Sequence, residues 1–417
     1  MEQQQKQQQP ELPQLSPSQL MTLTNSARHG RTNGLTIVLK LGTSSICDEV
    51  THFPLLATLS SMVETIVKLQ KMGHRVVLVT SGAVGVGLRR LDISTKPSEL
   101  AKKQAIAAVG QGRLMSLYDN LFGQFNQPIA QILLTKNDLA QRSRYLNARN
   151  TFEELFNMNV LPIVNENDTV SVAEIRFGDN DTLSAITAGI IHADYLFLLT
   201  DVDCLYSDNP RTNPSARPVV EVDDISKLRE EIVVTTPGSS LGTGGMVTKL
   251  VAAELATAAG VTTIITRGSQ PERVFEIIDS LQNEGSKEPP LHTRFIAKHD
   301  PMLDRKWWIL HGLYDAGSIV VDLGAKLALT RHKSSLFAAG IVRVDGYFNA
   351  SQAVNVVYEE IGPDGRVDSL ILAKGLVNYS SVEINIIKGC KSSQFPDLLG
   401  YVDSPCIVER ENLARLV

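Results

Sequence analysis

The sequence predicts an α/β protein: a three-layer α/β/α sandwich around a mostly parallel sheet, followed by a small β-rich domain. Three observations carry this. Continuous runs of Val, Ile and Leu recur at 35–41, 75–80, 129–134, 161–165, 195–200 and 261–266, the texture of parallel strands covered on both faces. Stretches with helical spacing of apolar residues lie between them, and alternating strand and helix argues for a doubly wound sheet. Beyond residue 306 the texture changes to short runs divided by turns such as Gly362-Pro363-Asp364-Gly365.

Taken in order, residues 3–9 are Gln except for Lys6, and Pro and Ser are scattered through residues 10–33. Such a composition buries too little apolar surface to offset ordering entropy, so a disordered tail is expected over 1–33. The sandwich is expected over 34–280. Its first helix, 54–72, carries Leu55, Leu59, Met62, Ile66 and Leu69 at helical spacing and stops at Gly73. Further helices are expected over 182–191 and from the glycines near 245 to about Ala259. The polar, turn-rich stretch 281–305 reads as a linker. The second domain, 306–417, should be built on β-like runs at 307–310, 318–321, 340–345, 353–358, 369–374 and 384–387.

Bulk properties exclude several functions. A 417-residue chain that is 43% hydrophobic and 20% charged has ample apolar surface for two globular domains. Its formal net charge of −5 supplies no global positive field for nucleic acid or anionic lipid. The four cysteines, Cys47, Cys204, Cys390 and Cys406, show no C-x-x-C spacing, which argues against a zinc knuckle or a dithiol redox site. With no apolar run of membrane-spanning length and no apolar secretory core, a cytoplasmic protein is expected.

Chemistry is concentrated where strands end. The first strand exits through Lys40-Leu41-Gly42-Thr43, putting a lysine and a glycine turn at the sheet edge where ligands bind, although a surface lysine before an ordinary turn would read the same. The second exits through Thr80-Ser81-Gly82-Ala83-Val84-Gly85-Val86-Gly87, small residues whose amides can approach a phosphate or a carboxylate. Next come Asn165-Glu166-Asn167-Asp168-Thr169 and Gly178-Asp179-Asn180-Asp181-Thr182. Any one of these could be a helix cap, but together they suit the ammonium group of an amino acid and a nearby cation. Thr200-Asp201-Val202-Asp203 follows the fifth run. Finally, Thr243-Gly244-Gly245-Met246-Val247-Thr248-Lys249 opens a helix with glycines and a lysine one turn in, as a phosphate site requires. Lys249 follows Thr248 rather than a glycine, so this is not a P-loop, and no H-R-D or D-F-G run marks a protein kinase.

With these strings in chain order (KLGTSS, VTSGAVGVG, IVNENDTV, FGDNDTLSA, LLTDVDCLY, GTGGMVTK), the sequence closely resembles the amino acid kinase family, in particular the branch acting on glutamate. Residues from about 306 resemble a PUA domain. The resemblance implies transfer of the γ-phosphoryl group of ATP to the side-chain carboxylate of L-glutamate, the first step of proline biosynthesis. It implies Lys40 and Lys249 as cations on the transferred group, organised by Asp181, and Ser81, Asp168 and Asn180 as glutamate contacts. It implies a nucleotide site of Lys40, Gly42, Thr200, Asp201, Thr243, Gly244, Gly245, Met246, Val247, Thr248 and Lys249. Mg²⁺ would accompany ATP, held by phosphates and water rather than by a dedicated set of side chains.

The chemistry agrees, because a carboxylate nucleophile is already ionised and needs no general base. The resemblance further implies a homo-oligomer, proline as feedback inhibitor and a glutamyl phosphate reductase as recipient of the product. PUA domains elsewhere bind RNA, but acidic and basic residues nearly balance over 306–417, which argues against RNA affinity and for a regulatory or assembly module.

Overall fold

In the computed structural model, the described residues are 34–416 apart from 49, 136, 137, 139–141, 172–179, 209, 211, 212, 214, 226, 229–244, 284–287, 299–303 and 362–366. The Gln-rich stretch 1–33 therefore lies outside them, as do Thr243 and Gly244.

Strand β1 (Thr36–Leu41) leads through α1 (Thr43–Ile46) and α2 (Leu56–Lys71) to β2 (Arg75–Thr80), α3 (Ala83–Arg90) and α4 (Leu100–Gly123). There follow β3 (Ile129–Leu134), α5 (Arg142–Asn157), β4 (Leu161–Glu166), α6 (Asn180–Ile190) and β5 (Tyr195–Thr200). A ribbon of β6 (Leu205–Tyr206) and β7 (Pro218–Val219) precedes β8 (Glu221–Val222), α7 (Met246–Ala258), β9 (Thr262–Arg267), α8 (Arg273–Gln282) and β10 (Thr293–Phe295). Eight of these strands form one sheet in the order β3-β4-β2-β1-β5-β9-β10-β8, parallel except where β10 runs against β9.

Strand alternation divides the apolar side chains between the two faces of this sheet. Ile37, Leu39 and Leu41 enter a core shared with α2 and α4, whereas Val38 enters one shared with α6 and α7. Lys40 has the parity of Val38, which directs it to the face that carries α6. The chain order reverses at β1, which has β2 on one side and β5 on the other. Ligands of open α/β sheets bind at such a switch point, outside the carboxyl ends of the strands.

The C-terminal part begins with α9 (Asp304–Gly312) and continues through β11 (Asp315–Val321), α10 (Leu323–Thr330), β12 (Ile341–Asp345), β13 (Ala353–Ile361) and β14 (Val367–Leu376). It closes with α11 (Ser381–Ile387), α12 (Phe395–Leu399) and β15 (Leu413–Arg415). The five strands order as β12-β11-β13-β14-β15 over a core that includes Ile319, Val354, Val356, Leu372 and Ile407.

Three expectations are corrected. The apolar run 307–310 is not a strand but part of α9, since a short apolar run fits strand and buried helix equally well. It is helical because it packs on several sides at once: Trp307 lies against Gly189 of α6 and donates through Nε1 to the Leu255 carbonyl of α7 at 3.1 Å, while Trp308 meets the Tyr145 ring of α5. The run 384–387 is also helical. Ser380 caps α11, its Oγ accepting from Glu383 N at 3.4 Å while Glu383 Oε2 accepts from Ser380 N at 2.7 Å. Within the stretch read as a linker, Thr293–Phe295 instead adds β10 to the main sheet, with Thr293 opposite Ile265.

Candidate active site

The exit of β1 brings Lys40 to within 2.6 Å of Asp181 Oδ1, and the first turn of α7 brings Lys249 to 3.1 Å from Asp181 Oδ2. Thr248 Oγ1 donates to the same Oδ2 at 2.8 Å and accepts from Gly245 N at 3.1 Å. Asp181 is fully buried, and Lys40 and Lys249 are 5% and 7% exposed, so this cluster sits in a low-dielectric setting. Burial alone would raise the Asp181 carboxyl, but the Lys40 and Lys249 ammonium groups override it and hold the group well below the usual carboxylate range. The result is two cations fixed by one carboxylate at the switch point of the sheet. Gly42 stands beside them, for a Cβ there would lie 3.5 Å from Lys40 Nζ.

Next to this cluster, Asn180 Nδ2 donates to Ser81 Oγ at 2.9 Å, to Asn165 Oδ1 at 3.0 Å and to the Thr80 carbonyl at 3.2 Å. Asn165 Nδ2 in turn donates to Gln111 Oε1 of α4 at 2.8 Å. Gly82 turns the chain from β2 into α3 at φ +96°, a left-handed conformation that glycine adopts at low cost. Asp168 lies half-buried in the turn after β4, three residues past Asn165.

At the end of β5, Thr200 Oγ1 donates to Asp201 Oδ1 at 3.0 Å, and the Gly268 amide donates to the Thr200 carbonyl at 2.7 Å. Asp203 is gripped by Arg267 at 2.8 and 2.6 Å and by Arg273 at 2.6 Å. The Arg267 hydrogen bonds, with those from Arg273, hold the Asp203 carboxyl down at about 2 against the opposing effect of burial. Met246, Val247 and Thr248 form the first turn of α7 behind Gly245.

The structure thus unites Lys40, Asp181, Thr248 and Lys249 in one cluster and Ser81 with Asn180 in the adjoining one. Two residues bonded beside these groups carry no role in the sequence reading. Gln111 gives no local motif, although Gln104 lies seven residues before it on the same helix and donates to the Ser171 carbonyl beyond β4 at 3.0 Å. Asp203, with its two arginines, enters the sequence reading only as part of the string after the fifth run, with no role attached. Among the described residues, no group of three or more His, Cys, Asp or Glu is arranged to hold a metal ion.

Residues 35–267 match the model of the amino acid kinase family. The chain belongs to that family. Residues 317–399 match the PUA domain, so this amino acid kinase carries a PUA domain after its catalytic sheet. The chain is 57% identical over 385 residues to a probable glutamate 5-kinase of Schizosaccharomyces pombe, covering 91% of this chain and 92% of that one. It is 49% identical over 378 residues to a glutamate 5-kinase of Cyanothece sp., covering 91% and 98%. Among solved structures, a carbamate kinase from Giardia lamblia bound to AMP-PNP is 20% identical with a TM-score of 0.45, covering 64% of this chain and 99% of that one.

Proposed function

We propose that this amino acid kinase transfers the γ-phosphoryl group of ATP to the side-chain carboxylate of L-glutamate, giving L-glutamyl 5-phosphate for proline biosynthesis. The observation that carries this is the pairing of Lys40 and Lys249 across the buried Asp181, one residue from the Asn180–Ser81 contact. The relatives named glutamate 5-kinase, matched over 91% of the chain, support the choice of substrate.

In this reading Ser81, Asn180 and Asp168 hold the amino acid, and its ionised side-chain carboxylate faces the two lysines. Thr200, Asp201 and the segment from Thr243 to Lys249 hold the nucleotide. The carboxylate attacks phosphorus without a general base, and charge on the transferring group is stabilised by the preorganised Lys40 and Lys249. Asp181 serves as the common anchor that keeps both ammonium groups in place. Magnesium, when bound with the nucleotide, neutralises phosphate charge. Its ligands would be phosphates and water, since Asp181 is engaged by Lys40, Lys249 and Thr248.

The same reading carries proline as a feedback inhibitor at or near the glutamate pocket, a homo-oligomer, delivery of the labile acyl phosphate to a glutamyl phosphate reductase, and a cytoplasmic setting. No helix among the described residues is long and apolar enough to cross a membrane.

The test is ATP turnover in hydroxylamine, which traps acyl phosphates as hydroxamates. Glutamate should give hydroxamate, whereas aspartate and acetylglutamate should not, and UMP should release no ADP. Preferential turnover of any of the other three would sink the assignment.

A further inference from the structure

We infer that Gln111 is a substrate-binding residue of this kinase, its side-chain Nε2 donating a hydrogen bond to the α-carboxylate of the amino acid. The inference rests on the reading of glutamate as substrate and assigns one end of its pocket.

The chain of side-chain amides has a fixed direction. Asn165 Oδ1 accepts from the backbone N–H of Glu166 at 2.9 Å, and a backbone amide can only donate, so the oxygen of Asn165 is identified. Asn180 Nδ2 donates to the Thr80 carbonyl at 3.2 Å, and a carbonyl can only accept, so the nitrogen of Asn180 is identified as well. The two assignments agree where the side chains meet, because Asn180 Nδ2 faces Asn165 Oδ1 at 3.0 Å. Asn165 must then present its Nδ2 to Gln111, whose Oε1 accepts at 2.8 Å.

Two atoms are left over, one at each end. Asn180 Oδ1 is a buried acceptor and Gln111 Nε2 a buried donor, and neither has a hydrogen-bond partner among the described residues. Buried polar groups are almost always satisfied, by protein, water or ligand, so an unpaired donor and acceptor at opposite ends of one oriented chain call for a ligand that supplies both complements. An α-amino acid does: its ammonium group donates and its α-carboxylate accepts. Asn180 precedes Asp181, so the side-chain carboxylate of the same molecule is directed towards Lys40 and Lys249 while its α end meets the amides.

The experiment compares two substrates on three proteins. 4-Aminobutyrate is glutamate without the α-carboxylate, and it is followed as a hydroxamate substrate, or as a competitor of glutamate where its turnover is too slow. Gln111→Glu keeps an acceptor for Asn165 but replaces the donor with a like charge, and Gln111→Met removes both functions at similar size. Each variant should lower kcat/KM for glutamate by about 10- to 100-fold, the range for losing a hydrogen bond to a charged group. KM for ATP should stay within about threefold, and 4-aminobutyrate should be handled as well as by the unaltered protein, or better by Gln111→Glu. Equal losses for glutamate and 4-aminobutyrate would mean that Gln111 only supports the fold, and no loss for glutamate would mean that it does not touch the substrate. Either result overturns the inference while leaving glutamate as the substrate. An unaltered protein that forms no hydroxamate from glutamate overturns the substrate reading, and the role of Gln111 with it.

Discussion

Lys249 Nζ lies 3.1 Å from Asp181 Oδ2, and Asp181 is completely buried. In the proposed reading, a lysine held this way at the start of α7 is a preorganised cation with little left to reorganise during phosphoryl transfer. Lys249→Met leaves Asp181 still paired with Lys40, so the fold should survive. The expected outcome is a fall in kcat of roughly 10²-fold or more with unchanged circular dichroism. A kcat within about threefold of the unaltered protein, with only weaker binding, would remove Lys249 from the transfer step.

In the proposed reading, Asp168 and Asp201 belong to the pockets of different substrates. Asp168 follows β4, the strand that supplies Asn165 to the amide chain, whereas Asp201 bonds with Thr200 at the end of β5. Asp168→Ala should raise KM for glutamate far more than KM for ATP, and Asp201→Ala should do the reverse. Steady-state kinetics with each substrate varied in turn checks both, and a change confined to ATP for Asp168→Ala would overturn its assignment.

Much of this architecture was legible because the central strands are uniform. All six apolar runs before residue 280 correspond to strands of the main sheet, because strand length and regular alternation with helical stretches, rather than apolarity alone, mark such runs as strands. Position alone puts Lys40, Asp181 and Lys249 at a strand exit or a helix start, and their grouping was expected only through the family resemblance. What was not legible depends on contacts between distant segments. Gln111 sits in mid-helix with no motif of its own, and only the fold brings it 2.8 Å from Asn165. Trp307 and Trp308 read as a strand because four apolar residues in a row carry no period, and their helical state is decided by Gly189, Leu255 and Tyr145. Ser380 and Glu383, by contrast, form a capping box that could have been read from spacing alone.

Gly189 is the position at which α6 admits the Trp307 ring. A Cβ there would lie 2.7 Å from Trp307 Cη2, closer than the rings of a packed interior can yield. In an isolated helix Gly→Ala would stabilise by about 0.5–1 kcal/mol. Here overpacking should reverse the sign, so Gly189→Ala is expected to lose about 1–3 kcal/mol in urea denaturation. A stability gain would show that α9 moves aside at no cost.

His311, at the end of α9, should make stability pH-dependent. Burial pushes its pKa down from 6.5 to about 4, helped by the charges of Lys374 and Lys298. The folded protein therefore keeps the ring neutral where the unfolded chain would protonate it, and the unfolded state binds more protons between about pH 6.5 and 4. Stability contributed by the neutral ring is present above about pH 6.5 and is lost as pH falls through that window. Melting temperatures from pH 7.5 to 4.5 should decline less steeply for His311→Gln than for the unaltered protein, and identical slopes would count against the buried neutral ring.

The catalytic unit ends later than its chemistry alone would place it. Every residue given a role in phosphoryl transfer lies between Lys40 and Lys249, which suggests that a chain stopped at Pro289 holds all the chemistry. The structure moves that boundary. Stopping at Pro289 removes β10, which pairs with both β9 and β8, and removes Trp307 and Trp308 from the core formed by α5, α6 and α7. Losing a buried aromatic side chain typically costs about 3–5 kcal/mol. A chain of residues 34–313 keeps β10 and both tryptophans, and gives up the contacts that Lys374 makes with the Leu310 and Leu313 carbonyls at 3.3 and 2.6 Å. The longer chain should phosphorylate glutamate and melt at least about 10 °C above residues 34–289, as a domain of this size shifts by about 2–4 °C per kcal/mol. Equal melting temperatures would show that α9 contributes nothing to the catalytic core. A folded 34–313 chain with no hydroxamate formation would instead require the PUA domain for catalysis.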